Sequence, residues 1–254
     1  MLNLNYNEDK WHIKTNDDHL IHGTTSYLPN NRSSNLVIIV HGLTDHINEY
    51  RYKASIPFLL NENYEVIRFS LYTGEEKGRS LSECNLQIHA DDLNEVISTY
   101  SKDYKNIFLI GFSYGAPTIF TAQPTNIAAI SLWDPTYDLP KIWDIQDIQN
   151  KDKYTILNWG VEFLFNPKMI KESKYYDIEG CNKLAKQLNA NVQVITAKDD
   201  IFGNDKYSWN NNSSSLSERI FIEEADHQFN NKNCFFDLVK NTIRYLNKFK
   251  ESNT

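Results

Sequence analysis

The chain lacks an excess of positive charge, any long apolar run and the cysteines for a disulfide framework, and each shortage removes a class of function. Lys and Arg number 26 against 33 Asp and Glu, a formal charge of -7. A net acidic surface serves neither nucleic-acid phosphates nor anionic lipid headgroups, so neither is expected as a partner. No apolar stretch approaches the ~18 residues of a membrane span. The longest strong one, Leu36 to Val40, is strand-length. Residues Met1 to Lys14 carry Asn, Asp, Glu and Trp where a secretory signal needs an uninterrupted apolar stretch, so the expected address is cytoplasmic. Cys84, Cys181 and Cys234 are odd in number and far apart, which fits reduced thiols. No further His or Cys stands at zinc-ligand spacing near His41 and His46, so a metal site is not expected. No internal repeat is visible.

What is present suffices for one large domain. The 254 residues are 41% hydrophobic and 23% charged, close to the globular average. Short β-rich apolar runs stand at Leu36 to Val40, Tyr64 to Phe69, Asn106 to Ile110, Ile127 to Trp133, Val192 to Thr196 and Arg219 to Ile222. Runs of this length and apolarity suit a parallel sheet covered on both faces. Helical spacing of apolar residues is read over Ile88 to Tyr100 and Phe235 to Phe249. Trp11 to Lys14 and His19 to Tyr27 flank Asn16-Asp17-Asp18 as an antiparallel hairpin at the sheet edge. Strands alternating with helices give a doubly wound α/β fold in a single domain. From Thr136 to Asn191 the gap is too long for one crossover helix, and the stretch 136–191 is read as a cap insertion. Its Trp143, Trp159, Phe163 and Phe165 serve its own core, or wall an apolar acyl or aryl pocket, or both.

The sharpest chemical signal is Gly111-Phe112-Ser113-Tyr114-Gly115, directly after one strand and before the helical stretch Ala116 to Ala122. A Ser on a tight strand-to-helix turn needs small neighbours because the chain packs closely on both sides. The turn lifts the hydroxyl above the carboxyl edge of the sheet, at a helix N-terminus whose amides can receive an oxyanion. A nucleophilic Ser needs a base, and the base needs an acid to fix its tautomer. In a fold of this kind the chain order is Ser, acid, His. Of seven histidines only His227 follows Ser113. For the acid, Asp199 and Asp200 both follow the strand Val192 to Thr196, and Asp134 follows the strand ending at Trp133. The short turn Ala197-Lys198-Asp199 ranks Asp199 first, Asp200 second and Asp134 third. In His41-Gly42-Leu43 the glycine lets the chain bend, so that the amides of Leu43 and Tyr114 form an oxyanion hole, with His41 as a buried hydrogen-bonding anchor.

The constellation His41-Gly42-Leu43, Gly111-Phe-Ser-Tyr-Gly115, Ala197-Lys-Asp199 and Asp226-His227 resembles the α/β-hydrolase superfamily over about Leu36 to Leu246. Within it the compact arrangement and the insertion are most similar to bacterial cinnamoyl/feruloyl esterases and short-chain carboxylesterases. That family usually carries Gly-His-Gly-x-Ser after the second parallel strand, whereas this chain reads Thr73-Gly-Glu-Glu-Lys-Gly-Arg-Ser80. The resemblance implies a serine hydrolase acting on a small-molecule ester of an apolar acyl or aryl group. A thioesterase or acyltransferase with the same triad is the alternative, and a non-catalytic ligand-binding homologue comes behind both. None of these needs a cofactor.

Overall fold

Alternating residues of the strand Asn35–Val40 point to opposite faces of a sheet, and both sets are apolar. Leu36, Ile38 and Val40 enter one buried cluster, while Val37 and Ile39 enter another. A strand of this kind is stable only in the middle of a sheet with helices on both sides, and the rest of the chain supplies them.

The computed structural model describes residues 4–144, 148–151, 153–199 and 216–250. Strands β1 (Asn7–Lys14) and β2 (Leu20–Tyr27) form the expected edge hairpin, with Lys14 opposite Leu20. There follow β3 (Asn35–Val40), α1 (Tyr50–Asn61), β4 (Glu65–Phe69), α2 (Leu86–Tyr100), β5 (Asn106–Phe112), α3 (Gly115–Ala122) and β6 (Ile127–Trp133). Next come α4 (Leu139–Asp144), the short strands β7 (Ile148–Asn150), β8 (Thr155–Asn158) and β9 (Glu162–Phe165), α5 (Pro167–Ser173) and α6 (Ile178–Gln187). The chain then adds β10 (Asn191–Asp199), β11 (Leu216–Asp226) and α7 (Lys232–Leu246). The main sheet has eight strands in the order β1-β2-β4-β3-β5-β6-β10-β11. Only β1 with β2 and β2 with β4 pair antiparallel; the other pairs are parallel.

Helices α1 and α7 cover one face through Tyr52, Ile56, Leu59, Leu238 and Tyr245. Helices α2, α3 and α6 cover the other through Leu93, Val96, Ile119, Phe120, Cys181 and Ala185. The doubly wound, mostly parallel arrangement read from the sequence is the one found. Helix α1 is not signalled by periodicity, since Pro57 lies inside it and its buried residues include Arg51 and Ser55.

The stretch after β6 divides into two parts. Helix α6 packs on α3, with Gln123 donating to the Leu184 carbonyl at 2.9 Å, and leads into β10; it is the crossover helix. The excursion before it consists of α4, the antiparallel sheet β7-β8-β9 and α5. It rests on the turn 81–83 and on Asn85, which donates to Glu172 Oε1 at 3.3 Å. That turn follows β4 and precedes α2, so the excursion lies on the carboxyl side of the sheet. Among the described residues no helix is long and apolar enough to cross a membrane. The three cysteines are free and buried.

Candidate active site

Strand β5 runs straight into the turn that carries Ser113. Ser113 has φ +49°, the left-handed region a non-glycine residue enters only at a cost. Its amide donates to the Trp133 carbonyl of the neighbouring strand at 3.0 Å, which holds the turn against the sheet. The flanking glycines sit at close approaches of the chain. A Cβ on Gly115 would run into the Val40 carbonyl of β3, and one on Gly111 would lie 2.7 Å from Ile119 Cδ1.

The histidine loop follows β11. His227 Nε2 lies 3.1 Å from Ser113 Oγ, and its Nδ1 lies 2.6 Å from Asp134 Oδ2. The imidazole packs against Phe112, ring centroids 5.0 Å apart. All three side chains are more than nine-tenths buried, so little water competes for these bonds. An ionised Asp134 accepts only, so Nδ1 carries the ring proton and Nε2 is left to accept from the serine hydroxyl.

An acid other than the one ranked first from the sequence hydrogen-bonds His227. Among the described side chains, the carboxylate on His227 is that of Asp134, ranked third. Asp134 follows β6 with φ +40°; its amide donates to the Ile195 carbonyl at 2.7 Å, and its Oδ1 accepts from the Ala197 amide at 2.9 Å. The left-handed backbone and these two anchors to β10 aim the other carboxylate oxygen at His227. Asp199 ends β10 in register with Asp226. Its side chain, like the whole of Asp200, lies outside the described residues.

The loop after β3 sits beside the serine because β3 and β5 are neighbours, with Val40 opposite Gly111. Leu43 lies in that loop, and Tyr114 caps the N-terminus of α3. His41 is buried, accepts from the Leu71 amide at Nε2 (3.0 Å) and contacts the Gly42 carbonyl through Nδ1 (2.8 Å). These bonds make it the buried hydrogen-bonding anchor expected of it, and burial lowers its proton affinity. Gly42 donates to the Tyr52 hydroxyl at 3.2 Å, and Tyr52 donates to Asp45 Oδ2 at 2.5 Å. A Cβ on Gly42 would stand 2.9 Å from the Phe112 ring.

Two features escaped the sequence reading. Arg51 lies 4.2 Å over the Phe112 ring and hydrogen-bonds both Asp45 and Gln228, joining the loop after β3 to the histidine loop. Thr136 places its hydroxyl 3.0 Å from Ser113 Oγ. Neither sits in a motif; only the closeness of Thr136 to Asp134 could have drawn attention to it.

The four insertion aromatics are brought together, chiefly with one another. Trp143 and Phe165 have ring centroids 5.5 Å apart, Trp159 and Phe163 6.1 Å, and Phe163 and Phe165 6.3 Å. Trp143 and Phe165 are buried in the main apolar cluster, while Trp159 and Phe163 are half-buried against it. Among the described residues no group of three His, Cys, Asp or Glu side chains is placed to hold a metal ion.

No family model matches the chain, and no curated protein matches it in sequence. Solved structures do match in shape. The esterase domain of a Rhodothermus marinus protein superposes with TM-score 0.73 at 12% identity, covering 96% of this chain and 99% of that one. Mouse alpha/beta hydrolase domain-containing protein 10 gives 0.72 at 16% identity, covering 95% of this chain and 100% of that one. Est1E from Butyrivibrio proteoclasticus, with ferulic acid bound, gives 0.71 at 13% identity over 96% of both chains. Likeness over nearly the whole length settles the architecture: this chain has the α/β-hydrolase fold.

Proposed function

We propose that the protein is a serine hydrolase that cleaves carboxylic esters through an acyl-enzyme. The observation that carries this reading is the buried, continuous hydrogen-bonded line from Asp134 through His227 to Ser113, with Ser113 on a left-handed turn between a strand and a helix. Two of the structural neighbours are named as esterases, and a third holds ferulic acid.

Ser113 Oγ attacks the acyl carbon while His227 Nε2 takes its proton. Asp134 holds the imidazole in the productive tautomer and stabilises the imidazolium that forms. The tetrahedral oxyanion is received by the amides of Leu43 and Tyr114, and His227 then protonates the departing alcohol. Water repeats the sequence on the acyl-enzyme and frees the acid. The half-buried Trp159 and Phe163 are the aromatics we assign to the acyl or aryl group. Trp143 and Phe165 are assigned to the core beneath them.

The test is turnover of p-nitrophenyl acetate and butyrate, with the matched thioesters alongside. Wild-type protein is expected to hydrolyse the oxygen esters and Ser113→Ala to lose that activity. Equal activity in the two proteins overturns the reading, and a preference for the thioesters moves the substrate class from ester to thioester.

A further inference from the structure

The hydrogen bonds around Ser113 Oγ extend beyond the triad. Ser113 has one hydroxyl hydrogen, and in the productive state it points at His227 Nε2, because Nδ1 holds the ring proton against Asp134. Thr136 Oγ1 stands 3.0 Å from the same serine oxygen. With the serine proton committed to histidine, the proton between the two hydroxyls must belong to threonine. Thr136 is 1% exposed, so its hydroxyl has no open access to water, and a buried hydroxyl donor is costly to leave unpaired.

The backbone holds it there. The Thr136 amide donates to the Ser113 carbonyl at 3.1 Å, while the Ser113 amide donates to the Trp133 carbonyl at 3.0 Å. The segment Trp133-Asp134-Pro135-Thr136 therefore wraps the serine turn. It delivers the acid to the histidine and a hydroxyl to the nucleophile within three residues.

We propose that Thr136 is a catalytic residue whose hydroxyl donates to Ser113 Oγ and stabilises the charge that develops there when the acyl-enzyme is cleaved. The assignment rests on the serine-hydrolase reading above. In deacylation water attacks the acyl carbon as His227 Nε2 takes its proton, and the carbonyl electrons move onto the oxyanion. As the intermediate collapses the bond from the acyl carbon to Oγ breaks and its electron pair goes to Oγ. The proton returns from His227 to that oxygen, and the carboxylic acid leaves. Thr136 keeps its own proton throughout; its hydrogen bond strengthens as Oγ gains negative charge. In acylation the same bond also occupies a lone pair of the attacking oxygen, so its loss is expected to slow that half-reaction less.

The experiment is pre-steady-state hydrolysis of p-nitrophenyl acetate by wild type, Thr136→Val, Thr136→Ala and Thr136→Ser, with melting temperatures measured in parallel. Both variants without a hydroxyl are expected to deacylate about 10- to 100-fold more slowly, the loss of one hydrogen bond to a charged oxygen. They should show a larger burst and a smaller change in acylation, and Thr136→Ser should return close to the wild-type rate. Folded Thr136→Val or Thr136→Ala protein that deacylates like wild type overturns the assignment and leaves the hydrolase reading standing. An equal loss in Thr136→Ser also overturns it, since packing rather than the hydroxyl would then matter. A wild type with neither burst nor turnover overturns the hydrolase reading, and this assignment with it.

Discussion

Replacing Asp134 by Asn exchanges one carboxylate oxygen for an NH2 group and alters little else, which makes it a sharp probe of the acid. The Ala197 amide donates to Asp134 Oδ1 at 2.9 Å, and an Asn carbonyl oxygen placed there keeps that bond. The new NH2 then faces His227 Nδ1, 2.6 Å from the oxygen it replaces. An NH2 group donates, so Nδ1 must become the acceptor and the ring proton must move to Nε2. Nε2 can then no longer accept from Ser113, 3.1 Å away. Folding should survive, because shape and the backbone anchor are retained. Catalysis should not: the wrong tautomer costs about 10⁴-fold where the same exchange has been made in a triad, equivalent to about 5.4 kcal/mol of transition-state stabilisation. The assay is kcat/KM for p-nitrophenyl acetate in Asp134→Asn, Asp199→Asn and Asp200→Asn, each checked for folding by circular dichroism. The large loss is expected in Asp134→Asn alone. If Asp134→Asn stays near wild type while Asp199→Asn or Asp200→Asn falls by orders of magnitude, the acid comes from the end of β10 and the reasoning is refuted.

Phe165→Ala should lower stability by about 3–5 kcal/mol in urea unfolding, because a buried ring is replaced by a cavity. Trp159→Ala, at a half-buried ring, should instead raise KM more for butyrate than for acetate esters; equal effects on both would place that ring in the cap's own packing. Gly115→Ala should destabilise the fold and cripple activity together, since the new methyl meets the Val40 carbonyl; a stable, active variant would show that the turn has room. His89 on α2 is buried, its ring nitrogens have no hydrogen-bond partner among the described residues, and burial drops its pKa to about 3 from 6.5. Between those values the unfolded chain binds the proton and the folded one does not, so stability is lost as pH falls from 6.5 towards 3. His89→Leu should flatten the melting-temperature profile over that window, and an unchanged profile would show that His89 is not its source.

The central parallel strands were legible because both of their faces are buried. In β3 and β5 every position is apolar or sealed, so the sequence shows an unbroken run. The serine turn was legible because Gly115 is forced by the Val40 carbonyl and Gly111 packs tightly on Ile119 and Gly115, close approaches that favour glycine. His227 followed from order alone. The acid did not, for a physical reason. Strands β6 and β10 are paired neighbours, with Trp133 opposite Ile195, so Asp134 and Asp199 both leave the sheet at the same edge. Which one reaches the imidazole depends on the direction its side chain takes, and for Asp134 that direction is set by a left-handed backbone that sequence does not announce. Helix α6 was hidden in the long gap after β6 for a similar reason: its contact with α3 makes it a crossover helix, and only the fold brings the two together. Thr136 and Arg51 meet Ser113 and Gln228 only through contacts between distant parts of the chain, and neither sits in a motif.

The most direct measurement of the central claim is covalent labelling with a fluorophosphonate, which traps an activated serine, followed by mass spectrometry of the digested protein. One adduct per chain is expected, on Ser113, absent in Ser113→Ala and formed far more slowly in His227→Ala, because removal of the hydroxyl proton by the histidine is what makes the oxygen a nucleophile. No adduct on folded wild-type protein, or an adduct that forms as fast in His227→Ala as in wild type, would contradict it.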